Sequence, residues 1–139
     1  MDFEELIDNL SFIDDWEERY RYIIELGRSL EPLSEAEHSD LNKVRGCASQ
    51  VWLVSKTEDG VDPVLTFRGD SDAHIVKGLI ALALAAFSGK HASEIVAFKP
   101  DSLFERTGLK GHLSPQRSNG LVSMIGRIKS EAQQALTTA

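Results

Sequence analysis

Cys47 is the side chain of this sequence best suited to covalent chemistry, and it sits in the stretch Val44-Arg45-Gly46-Cys47-Ala48-Ser49-Gln50-Val51-Trp52-Leu53. A thiol reacts as its thiolate, and with an unperturbed pKa near ~8.5 only a small fraction is ionised at neutral pH unless cations lie close. Arg45 and Lys43 are the local candidates for such help. Gly46 admits backbone angles that other residues avoid and leaves the sulfur uncrowded, while Ala48 and Ser49 add little bulk on the other side. This setting suits attack on a sulfur held by another molecule. Because Cys47 is the one cysteine, an internal disulfide, a multi-thiolate zinc site and an iron–sulfur cluster held by this chain alone are excluded. Spacing alone leaves two alternatives open. Cys47 could be a small buried hydrophobe, and a Cys–His hydrolase stays open because such partners meet in space rather than in sequence. His38, His74, His91 and His112 are scattered through polar or helical contexts where a solvated role is the default, and no metal site is expected.

The elements that must position Cys47 follow from periodicity. Leu6, Ile7 and Leu10 predict a short opening helix, and Trp16, Tyr20, Ile23, Ile24 and Gly27 predict an amphipathic one from about Asp15 to Leu30. Asp14, three residues before Glu17, suits a capping box, and Pro32 ends the segment. The polar stretch Ser34 to Asp40 reads as a loop. From Asn42 to Arg68 the pattern turns extended, with strands at Gln50–Val54 and Val64–Phe67 joined through the turn Glu58-Asp59-Gly60 and another strand ending near Val44. Cys47 thus falls on a loop at a strand junction. Asp70-Ser71-Asp72 is a helix-start signal for an apolar segment running to Ser88, with Gly89 as its stop. Short helical pieces broken by Pro100, Gly108 and Gly111 fill 92–112, and a last helix runs from about Ser114 to Leu136 with Leu121, Met124, Ile125 and Ile128 on one face. This order predicts an α+β domain over residues 1–139, a small antiparallel sheet of about three strands with helices packed on it.

Composition narrows the partners. With 139 residues and 42% hydrophobic content the chain can bury the core of one domain. A net charge of −7 works against nucleic acid as a partner. The charge is uneven, with 13 Asp and Glu against 3 Arg in residues 1–40 and a slightly basic remainder; the acidic arm reads as a solvated helix face. The start Met1-Asp2-Phe3-Glu4-Glu5 fits neither a signal peptide nor a transit peptide. The longest apolar run, Gly78 to Phe87, falls short of the ~20 residues needed to span a bilayer. A cytoplasmic protein without a membrane partner is expected.

The stretch Val44 to Leu53 closely resembles the cysteine segment of the SufE family of sulfur acceptors. Two further blocks resemble the family in the same order. Gly69-Asp70-Ser71-Asp72-Ala73-His74-Ile75-Val76-Lys77-Gly78-Leu79 is similar to the start of its central helix, and His112-Leu113-Ser114-Pro115-Gln116-Arg117-Ser118-Asn119-Gly120-Leu121 to its C-terminal signature. The resemblance implies a SufE/IscU-like fold and a partner, a pyridoxal-phosphate (PLP) cysteine desulfurase of the SufS type, whose persulfide sulfur Cys47 would accept and deliver to an iron–sulfur scaffold of the SufBCD type. The chain would stimulate the desulfurase as a sulfurtransferase-type accessory protein rather than act as a desulfurase itself. PLP would belong to the partner, so the resemblance implies no cofactor for this chain. The segment Ser49-Gln50-Val51-Trp52 leans toward the SufE type over its paralogue CsdE. A weak homodimer is compatible with the sequence.

Carried over residue by residue, the resemblance places Arg45, Gly46, Gln50, Asp70 and Arg117 toward the desulfurase, with Cys47 as the reacting group. Each has a plainer reading beside it. Asp70 could cap the central helix, Arg117 could make an ion pair near a helix start, and Gln50 could orient the loop backbone, while Val51, Trp52 and Leu53 read as sheet core. Because a persulfide is readily lost to solvent thiols, the loop is expected to shelter Cys47 at rest and open on docking, with burial raising the thiol pKa. An IscU-type scaffold and a non-catalytic module in which Cys47 is core are the competing functions.

Overall fold

The computed structural model describes residues 2–47, 49–109 and 111–138. Ala48, the small neighbour on the far side of the cysteine, lies outside them. Two antiparallel strands, β1 (Val51–Thr57) and β2 (Val64–Ser71), pair from Val51↔Ser71 to Thr57↔Leu65, and the two-residue β3 (Lys90–His91) completes the order β1-β2-β3. The helices are α1 (Phe3–Ser11), α2 (Trp16–Arg28), α3 (His74–Phe87), α4 (Ala92–Ala97), α5 (Pro100–Thr107) and α6 (Pro115–Thr138). The expected α+β architecture with a small antiparallel sheet is the one observed. None of these helices is long and apolar enough to cross a membrane.

Alternation along the strands turns Val51, Leu53, Leu65, Phe67 and Gly69 inward. Helix α3 covers that face and is buried on most sides, which its near-continuous apolar run dictates. It crosses α2 where two glycines meet: a methyl group on Gly78 would strike the Ile23 carbonyl oxygen, and one on Gly27 would come within 2.6 Å of the Gly78 nitrogen. The buried side of α6, with Leu121, Met124, Ile125, Ile128 and Ala132, closes the core.

The structure corrects several local expectations. Asp15 caps α2, its carboxylate accepting the Glu17 N–H; Asp14 does not. The helix stops at Arg28, ahead of Pro32. Asp70 and Ser71 belong to β2, because the ladder with β1 runs on through Trp52↔Asp70 and Val51↔Ser71; α3 begins at His74 with Ala73 as a cap that lends no side chain. The third strand is Lys90–His91, whereas the segment ending at Val44 makes an isolated bridge, Lys43↔Trp52. Its two bonds to β1, Leu53 N–H to Asn42 O and Val44 N–H to Val51 O, both 2.8 Å, form a stub too short for a strand.

Candidate functional site

The cysteine loop leaves this stub and turns sharply. Gly46 has φ +88°, a region costly to residues with a Cβ, and it lies so close to α6 that a methyl group would sit 2.5 Å from Ser123 Oγ. The turn lays Cys47 against the Gly120 backbone, and the thiol donates a weak hydrogen bond of 3.5 Å to the Gly120 carbonyl oxygen. Cys47 is partly buried, and burial pushes its thiol pKa up, in the direction that keeps the resting group protonated.

Beside the thiol opens a cavity of about 300 Å³. Its floor is apolar, formed by Val51 of β1, Val76, Leu79 and Ile80 of α3, and Leu121 and Met124 of α6. Ser49, Ser114, Gln116, Arg117 and Gly120 complete the wall, so polar donors from the start of α6 face the same space as the sulfur. The arrangement offers a nucleophile kept neutral by its surroundings, a guanidinium that can meet negative charge, and a recess with an apolar floor next to both.

Of the residues singled out in the sequence, the structure brings Cys47 and Arg117 to one cavity. Gly46 adjoins it as the turn. Arg45 is exposed and does not line the cavity. Gln50 is exposed too, and its backbone N–H donates to Asp72 Oδ1 at 3.1 Å, tying the loop to the turn before α3.

Asp70 lies apart from the cavity, facing His38 Nε2 at 2.7 Å and Lys77 Nζ at 3.5 Å, and it caps no helix. Burial by itself would raise the Asp70 pKa, but hydrogen bonds from His38 and the Ser71 amide, with Lys77, outweigh it and hold the carboxyl below its usual value. His38 is raised chiefly by the Asp70 carboxylate and stacks edge-on against Trp52, 4.7 Å between centroids. It is therefore not merely solvated, and neither is His112, which stacks on Trp16 at 3.7 Å. Trp52 is half-buried on the outer sheet face beneath His38 rather than in the core with Val51 and Leu53. Next to His38, Glu37 pairs with Arg68, whose hydrogen bond brings the Glu37 pKa down to about 2.

Sequence reasoning missed the cavity's walls. Gly120 was visible only as part of a matching block, and the apolar segment that forms α3 includes Val76 and Leu79 without showing that they border the thiol.

Comparison with known proteins finds relatives along nearly the whole chain. The sequence profile of the SufE family, described as an Fe–S metabolism associated domain, matches residues 4–132. An uncharacterized SufE-like protein of Rhizobium meliloti is 57% identical over 134 residues, 96% of each chain. Another, from Rhizobium etli, is 55% identical over 131 residues, covering 94% of this chain and 88% of that protein. The solution structure of a hypothetical protein from Thermus thermophilus shares the fold, with a TM-score of 0.77 over 97% of this chain and 96% of that one at 18% identity.

Proposed function

Because this chain belongs to the SufE family and so to sulfur transfer in Fe–S metabolism, we propose that Cys47 is the carrier atom's seat: it takes a persulfide sulfur from a PLP cysteine desulfurase of the SufS type and hands it to an iron–sulfur scaffold of the SufBCD type. The observation that carries this reading is the lone thiol held protonated at the edge of a cavity that has an apolar floor and also presents Arg117.

On docking, Cys47 leaves the Gly120 carbonyl and loses its proton to solvent or partner. Its thiolate then attacks the outer sulfur of the desulfurase persulfide. A new S–S bond forms on Cys47, the S–S bond of the partner breaks, and the partner's cysteine departs as thiolate. Oxidation state is conserved, because one persulfide replaces another. PLP stays with the partner, and this chain supplies only the thiol and its surroundings. Returned to the cavity, the persulfide would rest against Val76, Leu79 and Met124, away from solvent thiols. Arg117 would offset its negative charge, while the exposed Arg45 and Gln50, outside the cavity, and Asp70, farther from it, would contact the partner. A cytoplasmic setting, where thiols remain reduced, suits this chemistry.

Incubation with a SufS-type desulfurase and L-cysteine, followed by intact-mass analysis under non-reducing conditions, tests the proposal. The wild type is expected to gain one sulfur and Cys47→Ser none. An unmodified wild type, or equal gain on Cys47→Ser, would overturn it.

A further inference from the structure

Four side-chain positions of α6 face the cysteine segment and the strand behind it in order. Gly120, Ser123, Arg127 and Glu131 are spaced three, four and four residues apart, which puts them on one side of a helix. Gly120 receives the Cys47 thiol, and Ser123 abuts Gly46. Further along, Arg127 reaches the stem of the loop: Nη1 donates to the Lys43 carbonyl at 3.4 Å and Nη2 to the Leu41 carbonyl at 3.1 Å. Its Nε donates to Glu131 Oε1 at 3.0 Å, while Glu131 Oε2 accepts from Ser55 Oγ of β1.

These bonds join three elements through one guanidinium. The stub already uses the Asn42 carbonyl and the Val44 N–H on its inner side, toward β1. The Lys43 carbonyl, between those two bonds, points the other way, and the Leu41 carbonyl of the preceding turn is within reach of the same side chain. There the planar fork of an arginine can take both at once while its third nitrogen is held by a carboxylate.

We propose that Arg127 is a positioning residue for Cys47: by clamping Leu41 and Lys43 to α6 it fixes the stem of the cysteine loop, so that the thiol is held in its shelter until a partner opens it. Its use in sulfur transfer rests on the carrier function proposed above. The shelter itself does not, and it can be measured without any sulfur donor.

A purely local role, the i,i+4 pair of Arg127 with Glu131, makes a different prediction. Arg127→Lys keeps the charge, the helix propensity and that pair, and removes only the fork. The test compares alkylation of Cys47 by iodoacetamide in the folded full-length wild type, in Arg127→Lys and in Arg106→Lys, with the urea midpoint measured for each. Arg106 pairs with Glu4 at 2.5 Å on α5, outside the cysteine cavity, and controls for general loss of an arginine ion pair. Lysine can still reach one of the two carbonyls, so the net loss of about one charge-assisted hydrogen bond to the stem should speed labelling of Arg127→Lys about tenfold, with the control near the wild-type rate. A wild-type rate in Arg127→Lys, or equal acceleration in the control, would overturn the proposal. Should Arg127→Lys fail to fold, Glu131→Gln, which leaves the fork but loosens its anchor, should shift the rate in the same direction; an unchanged rate there would overturn it as well.

Discussion

At the scale of single residues, the thiol of Cys47 is governed by what surrounds it more than by charge. Arg45, adjacent in sequence but for one glycine, is exposed, and the cause of the raised Cys47 pKa is burial. The sign follows: less thiolate is present at any given pH than in an unfolded chain. The pH profile of Cys47 alkylation should therefore have its midpoint above that of the same protein in denaturant, where the shift should vanish. A folded-state midpoint equal to or below the unfolded one would contradict the burial argument. Arg117 belongs to this scale too. Its place in the cavity wall would, in the proposed carrier function, let it meet a negative charge that the resting, protonated sulfur does not carry.

At the scale of elements, the demand is close approach. The crossing of α2 and α3 depends on Gly27 and Gly78, since a methyl group at Gly78 would collide with the Ile23 carbonyl. Gly78→Ala should lower stability by ~1–3 kcal/mol, the usual range for overpacking a filled interior, read as a shift in the urea midpoint at unchanged m-value. Much of this level was legible in the sequence. The amphipathic repeat of α2, the apolar run of α3, the β1–β2 hairpin and the face of α6 follow from periods of 3.6 and 2. What could not be read was decided by tertiary pairing. Asp70-Ser71-Asp72 has the composition of a helix start, yet the ladder from β1 carries Asp70 and Ser71 into the sheet. The likeness of matching blocks marked Cys47 and Arg117 as related, but their common cavity depends on how the start of α6 meets α3, a contact that no local pattern encodes.

At the scale of the whole molecule, charge pairs tie distant segments and make stability depend on pH in both directions. Glu4 and Glu37 are lowered first by hydrogen bonds from Arg106 and Arg68, Asp62 by the Ser93 hydroxyl, and Asp70 by the partners that outweigh its burial. Each contributes stability that is present above its ordinary value and lost as pH falls through its folded one. His38, raised chiefly by Asp70, contributes stability that is full below its ordinary 6.5 and lost as pH climbs through the raised value. For these groups together the melting temperature should be highest between the ordinary glutamate value of 4.5 and the ordinary imidazole value of 6.5, falling on both sides. Asp70→Asn should flatten the alkaline fall, because His38 then lacks the carboxylate that raises it; an unaltered slope in a pH series of thermal melts would exclude that origin. The stub at Asn42 and Val44 has a consequence for turnover. It covers the edge of β1 at Val51 and Leu53, and the strand at the other side of the sheet has only two residues. If the Arg127 clamp keeps the stub in place when, in the proposed function, the cysteine swings out, opening would bare the thiol without baring the β1 backbone at Val51 and Leu53, where another chain could template.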